Sequence, residues 1–235
     1  MSNDRLENGN LKSGIDYEKI KCAIFDLDGT ILDSMWVWEE IDKNFLAKRN
    51  IVMPNDYQDV VKPLGFEKAA VYTIKRFGLE ESAEDIIKEW FDMAYKAYSE
   101  DVKSKDNVYE YLSFLRSMGI KMGIATASER KLFTPALKNN KIFDFFDEIT
   151  TVDEVKRGKG FPDVYEKTAD KLGYKAYESI VFEDILAGIK GAKDGGFITV
   201  GVYDRRSLHE KKDILEIADL YIVNFSEIFD RRWKG

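Results

Sequence analysis

CAIFDLDGTILDS, residues 22–34, is the stretch from which the fold can be read. An apolar run, Cys22 to Phe25, is cut off by Asp26, Asp28 and Gly29, and a third carboxylate follows at Asp33. A strand covered on both faces shows no polar alternation, so a short apolar run stopped by acids and glycine reads as a fully buried strand. Open parallel sheets bind ligands beyond the carboxyl ends of their strands. Asp26 and Asp28 fall at that place.

Working outward, the period of the pattern changes. Trp38, Ile41, Phe45 and Leu46 recur at helical spacing, and helical patterns continue through EKAAVYTIKRFG (67–78) and SAEDIIKEWFDMAYKAYS (82–99). Residues 35–100 are therefore expected to be all-helical. Beyond them, Val108, Tyr111, Leu112 and Leu115 form a helix stripe closed by Gly119, and IKMGIATAS (120–128) reads as a strand. Helices are expected at 129–140, 163–173, 186–194 and 208–218. Strands are expected at EITTV (148–152), SIVFED (179–184), FITVGVY (197–203) and LYIV (220–223). Strands alternating with helices imply βαβ crossovers. The fold class is thus α/β, a doubly wound, Rossmann-like parallel sheet with an all-helical domain inserted after its first strand. The expected division is a polar leader at 1–20, a core at 21–34 and 101–235, and the helical insert at 35–100. Linkers near Leu32–Met35 and Ser99–Lys105 would join the two and permit a hinge.

Composition narrows the function classes. The net charge is −7, with 43 acidic and 36 basic residues intermixed along the chain, so no nucleic-acid partner is expected. Cys22 is the only cysteine and lies in the predicted strand, where it serves as a small buried hydrophobe. Residues 1–20 lack an apolar segment of the secretory type. No window approaches the ~20 apolar residues of a membrane span. The expectation is a cytoplasmic protein with no membrane partner.

Polar residues at the predicted strand ends are Asp26, Asp28, Thr126, Glu183 and Asp184, with Lys159 on a loop. Clustered carboxylates repel one another unless a positive group is bound among them. Oxygen ligands without His or Cys select Mg²⁺ over zinc, and Mg²⁺ commonly keeps water and a phosphate in its shell. Phosphoryl chemistry follows. Each residue alone has a plainer reading: Asp28-Gly29 as a turn, Asp33 with Ser34 as a helix cap, Lys159 as a surface lysine, Glu183 and Asp184 as partners of a helix dipole. The ordered set outweighs these. His209, in RRSLHEKK, reads as part of an exposed helix with no catalytic role. Trp38, Ile41 and Phe45 read as core of the insert, and Trp36, beside a linker, as a residue placed to touch substrate.

DLDGTILDS (26–34), GIATAS (123–128), GKGFPD (158–163) and VFEDILAGIKGAKDGG (181–196) resemble, in order and strand context, the four motifs of the haloacid dehalogenase superfamily. The likeness is closest to the branch with an α-helical cap, which contains phosphatases and β-phosphoglucomutase. It implies a cap at 35–100, Asp26 as nucleophile and Asp28 as general acid and base. It further implies Thr126 and Lys159 on the phosphoryl group, and Mg²⁺ held by Asp26, Asp184, Glu183 and the backbone carbonyl of Asp28. The substrate it implies is a small-molecule phosphate ester, such as a sugar phosphate, hydrolysed through an aspartyl-phosphate. A β-phosphoglucomutase-like mutase is the alternative, but Trp38 stands where such a mutase carries a histidine, and its cap arginine falls near Phe66 with the cap motif started at Val61-Lys62. A phosphoacceptor signalling domain shares an Asp, Thr and Lys, but is about half as long and lacks a helical insert. Three departures from the pattern occur: Gly160-Phe161 after Lys159, Ile185-Leu186 for a frequent Ser-Pro pair, and SKDN (104–107) for a Lys-Pro-Gly turn.

Overall fold

The computed structural model describes residues 16–62 and 64–229. They divide into two units, one of residues 16–33 and 103–229, the other of residues 34–62 and 64–102. Eight strands occur among the described residues: β1 (Cys22–Phe25), β2 (Leu32–Asp33), β3 (Lys103–Ser104), β4 (Lys121–Thr126), β5 (Glu148–Thr151), β6 (Ser179–Glu183), β7 (Ile198–Val202) and β8 (Leu220–Ile222). Helices α1 (Val37–Ala47), α2 (Tyr57–Val61), α3 (Phe66–Phe77) and α4 (Ala83–Glu100) build the second unit. Helices α5 (Val108–Ser117), α6 (Arg130–Asn139), α7 (Asp163–Leu172), α8 (Leu186–Asp194), α9 (Lys211–Ile217) and α10 (Ser226–Phe229) belong to the first.

In the first unit six strands pair in the order β5-β4-β1-β6-β7-β8. Every neighbouring pair is parallel. From β1 the chain winds outward through β4 to β5, then returns to the other side of β1 and winds outward again through β6, β7 and β8. The reversal opens a crevice between the carboxyl ends of β1 and β6, the usual binding place in such sheets. Every residue of β1 and β6 is buried, because helices cover both faces. Cys22 and Ile24 pack with Val164, Tyr165 and Ala169 of α7 and Ala192 of α8. On the opposite face Phe25 stacks on Phe182 at 4.6 Å and meets Tyr111 of α5 edge-on at 6.4 Å. Buried Cys22 is the inert hydrophobe expected: desolvation pushes its thiol up to about 12.

In the second unit α1 and α4 pack through Phe45 and Trp90, whose rings lie 5.4 Å apart. Gly78, left-handed at φ 64°, closes α3, and the Ser82 hydroxyl accepts the Asp85 N–H at 3.1 Å to open α4. Trp38 packs against Phe66 at 5.3 Å, and Phe66 against Phe91 at 4.8 Å. No helix among the described residues is long and apolar enough to cross a membrane.

Several local expectations need correction. Of the polar leader, residues 1–15 lie outside the described residues, whereas Tyr17 and Ile20 are buried in the core, Tyr17 sharing a 3.2 Å hydroxyl contact with Tyr111. Two apolar side chains in a polar stretch gave too little periodicity to register. Asp33 lies in β2, which pairs antiparallel with β3, and α1 starts four residues later at Val37, with Trp36 as its N-cap residue. Both linkers thus contribute to one short ribbon. The helix expected at 208–218 is a 3₁₀ turn, Leu208–Glu210, followed by α9. Exposed His209 lies in that turn, its Nδ1 3.0 Å from the Arg206 carbonyl.

Candidate active site

Asp26 follows β1 directly, and its N–H donates to the Phe182 carbonyl of β6 at 3.0 Å, which carries the sheet ladder one residue beyond the strand. Glu183 ends β6 and Asp184 comes next, so three carboxylates converge on the crevice. Asp26 is 4 % exposed, Glu183 0 % and Asp184 1 %. Thr126, equally buried, ends β4 on the other side of β1, where its hydroxyl accepts the Ser128 N–H at 3.0 Å.

The carboxylates are tied together by donors from four segments. Lys159 pairs with Oδ1 of Asp26, and with Oε1 of Glu183 at 2.7 Å. The Tyr165 hydroxyl donates to the same Glu183 oxygen at 2.7 Å. Oε2 of Glu183 is buried with no hydrogen-bond partner. The Thr30 hydroxyl lies 3.2 Å from Oδ2 of Asp26 and 3.2 Å from Oδ1 of Asp184, bridging the two. Ser207 donates to Oδ2 of Asp184 at 2.9 Å.

Local backbone conformation makes this convergence possible. Gly29, at φ 84°, turns the chain after Asp28 and lets Thr30 point back at Asp26. Lys105 donates to the Gly29 carbonyl, and to the Tyr203 carbonyl at 2.6 Å, while pairing with Asp204 at 3.0 Å. Asn107 adopts the left-handed conformation at φ 62° just before α5, a geometry that favours glycine, so SKDN forms its turn without one. The Lys159 loop lies against α8. A Cβ on Gly191 would stand 2.2 Å from the Lys159 carbonyl oxygen, and one on Gly188 would stand 2.4 Å from the Glu183 carboxyl carbon. Arg157 braces the loop. Its guanidinium lies 4.4 Å over the Phe161 ring and donates to both oxygens of Asp163, at 3.1 and 2.6 Å.

The electrostatics follow from burial. Desolvation pushes Glu183 up to about 8 and Asp184 up to about 7, and raises Asp26 despite the opposing Lys159 charge. For Lys159 burial acts downward, but the Asp26 and Glu183 carboxylates outweigh it and hold the ammonium above the usual lysine range. Three carboxylates against one ammonium leave two negative charges uncompensated when all are ionised, and the Lys105 charge is already engaged by Asp204. Oxygens of Asp26, Glu183 and Asp184 lie within 4.8 Å of one another. An all-oxygen cluster with a double negative excess and an unpartnered carboxylate oxygen fits a hard divalent cation.

Of the residues expected from sequence, Asp26, Lys159, Glu183 and Asp184 meet directly. Thr126 lies at the adjacent strand end. Half-buried Asp28 stands two residues beyond Asp26 and acts on it as a repelling charge. Sequence reading missed Thr30, Ser207, Tyr165 and Lys105. Thr30 lay inside the quoted motif, and its spacing from Asp26, one helical turn's worth of chain, was the signal to use. The other three carried none, being common residues in an α7 stripe and two loops.

Residues 23–202 match the family model of the haloacid dehalogenase-like hydrolases. Pyrophosphatase PpaX of Bacillus cereus (strain AH820) is 30% identical over 186 residues, which cover 78% of this chain and 83% of that protein. Among solved structures, a candidate β-phosphoglucomutase from Thermotoga maritima superposes with a TM-score of 0.80 at 24% identity, over 90% of this chain and 97% of its own. The β-phosphoglucomutase of Clostridium difficile gives 0.65 at 22% identity, over 89% and 93%. These structural likenesses concern the fold.

Proposed function

The chain belongs to the haloacid dehalogenase-like hydrolase family, and on that footing we propose that it is a Mg²⁺-dependent phosphatase of small phosphate monoesters. The observation that carries this reading is the buried Asp26 carboxylate, paired with Lys159 and facing Glu183 and Asp184 at the strand-end crevice.

In this reading an Asp26 oxygen attacks phosphorus as the ester P–O bond breaks, giving an aspartyl-phosphate and an alkoxide that takes a proton from Asp28. Water then gives a proton to Asp28 while its oxygen attacks the same phosphorus, releasing phosphate and freeing Asp26. Lys159 and the Thr126 hydroxyl stabilise charge on the equatorial oxygens of the phosphoryl group in transit. Asp26, Asp184, Glu183 and the backbone carbonyl of Asp28 would hold Mg²⁺, which when bound lowers the repulsion between an anionic nucleophile and an anionic ester. Hydrolysis is favoured over phosphosugar mutation because Trp38, at the position the resemblance gives a mutase's histidine, and Phe66, near that of its arginine, pack on each other as an apolar pair.

The test is phosphate release from a panel of metabolite monoesters, sugar phosphates among them, with inorganic pyrophosphate included because of the likeness to proteins of the PpaX name. Wild type is expected to release phosphate only with Mg²⁺, and Asp26→Asn, folded by circular dichroism, to release none. Turnover by the folded Asp26→Asn variant at the wild-type rate overturns the assignment.

A further inference from the structure

We propose that Ser207 is a positioning residue: its hydroxyl sets the plane of the Asp184 carboxylate for a divalent cation, and the Lys105–Asp204 pair anchors the loop that carries it. The inference rests on the reading of Asp184 as a metal ligand and adds a residue from an element that none of the four motifs includes.

The terminal torsion of an aspartate is broad and two-fold, so a carboxylate at a strand end rotates unless both oxygens are engaged. Here each oxygen faces a hydroxyl: Ser207 donates to Oδ2 at 2.9 Å, and Thr30, whose single proton is shared with Oδ2 of Asp26, lies 3.2 Å from Oδ1. A carboxylate oxygen accepts about two partners. One hydroxyl on each therefore fixes the plane and leaves a lone pair on both. Hydroxyl donors are neutral, so the full negative charge stays available to a cation, which an ammonium in the same place would have consumed. Ile185, directly after Asp184, brings no hydroxyl, and the second donor comes from residues 203–207 instead.

That loop is constrained at several points. Lys105 grips it through the Tyr203 carbonyl at 2.6 Å and Asp204 at 3.0 Å, and the same ammonium holds the Gly29 carbonyl. Oδ1 of Asp204 accepts the Arg206 N–H at 2.8 Å, which shapes the turn leading to Ser207. Glu210, just beyond, accepts the Leu186 N–H at 2.9 Å and so holds the start of α8 beside Asp184. Ser207 itself is 6 % exposed. Lys105 thus fixes the Asp26–Thr30 turn and the Ser207 loop to a common point, and with them both hydroxyls that face Asp184.

The experiment is calorimetric titration of the metal-stripped full chain with Mg²⁺, read without reference to turnover, alongside thermal melting of each metal-free variant. Ser207→Ala is expected to bind Mg²⁺ about 10-fold more weakly, and Ser207→Thr, which keeps the hydroxyl, within about 3-fold of wild type, in line with the usual cost of removing a group that orients a metal ligand. Lys105→Met, with both hydroxyls intact, is expected to weaken binding in the same direction, and Asp184→Asn to abolish it. If Asp184→Asn loses Mg²⁺ while Ser207→Ala binds as wild type, even with a lowered melting point, Ser207 is structural only. The inference then falls and the metal site stands. Equal weakening by Ala and Thr also overturns the role of the hydroxyl, and full affinity in Lys105→Met overturns the anchor. Undiminished binding by Asp184→Asn removes the metal site and the inference with it.

Discussion

In the proposed mechanism Asp28 carries the most exacting demand at the scale of a single residue, because one carboxyl would serve both half-reactions. Asp28→Asn should impair both, but by amounts that depend on the leaving group. An alkoxide needs the acid, so with an alkyl phosphate the first step is expected to fall by about 10² to 10⁴, the usual range for general acid–base catalysis. Nitrophenolate is stable as an anion, so with p-nitrophenyl phosphate the first step should lose far less, while hydrolysis of the aspartyl-phosphate still lacks its base. Stopped-flow absorbance is then expected to show a burst of nitrophenolate followed by a slow steady rate, with a phosphorylated chain detectable by mass spectrometry. Equal losses on the two esters without a burst would assign Asp28 to the turn alone. The acids were legible in the sequence because charge is expensive in a buried strand end and stands out there. The hydroxyls of Thr30 and Ser207 were not, since Ser and Thr satisfy their own backbone in most turns and only the fold shows which of them face a carboxylate.

Among the elements, α8 acts on the site through what it lacks. Gly188 and Gly191 let the helix approach Glu183 and the Lys159 loop more closely than any side chain permits. On propensity alone, Gly191→Ala should stabilise a helix interior by about 0.5–1 kcal/mol. Its Cβ would meet the Lys159 carbonyl oxygen at 2.2 Å and the Phe161 oxygen and nitrogen at 2.8 and 2.9 Å, all backbone atoms that cannot swing aside. Overpacking of this kind costs about 1–3 kcal/mol or more, so the clash wins and displaces the loop that carries Lys159. A lowered melting point and a fall in kcat of about 10- to 100-fold are expected, the scale of loss that a displacement near 1 Å causes. Gly158→Ala, whose Cβ meets nothing within 4 Å, is the control and should leave both unchanged. A more stable Gly191→Ala with full activity would mean that α8 does not hold the loop. Helices and strands of the core were legible because apolar run and apolar stripe differ in period. The ribbon of β2 and β3 was not, because two-residue strands are too short to show one.

Taken as a whole, the core unit folds around its own electrostatic problem, for the site draws on residues from Asp26 to Ser207 and none of it forms until both windings of the sheet are in place. Cation binding is then part of the free energy of folding. Without a cation, Glu183 titrates at about 8 and Asp184 at about 7, with Asp26 also raised, all because burial disfavours their charge. The same groups in the unfolded chain titrate near ~4. Between about pH 4 and about pH 8 the folded protein therefore binds more protons than the unfolded one, and its stability falls as pH rises through that window and levels off above it. Lys159, held above the usual lysine range, stays charged in both states there and does not reverse the sign. Under the proposed Mg²⁺ site the cation would replace the protons as the compensating charge, so its stabilising effect should grow as they leave. Urea unfolding in chelator and in saturating Mg²⁺, at about pH 5 and about pH 9, is expected to show the chelator midpoint falling with pH and the Mg²⁺ midpoint holding, so that the gap between them widens. An equal gap at both pH values would mean that the carboxylates stay ionised without a cation and that Lys159 and the hydroxyls alone suffice to bury them.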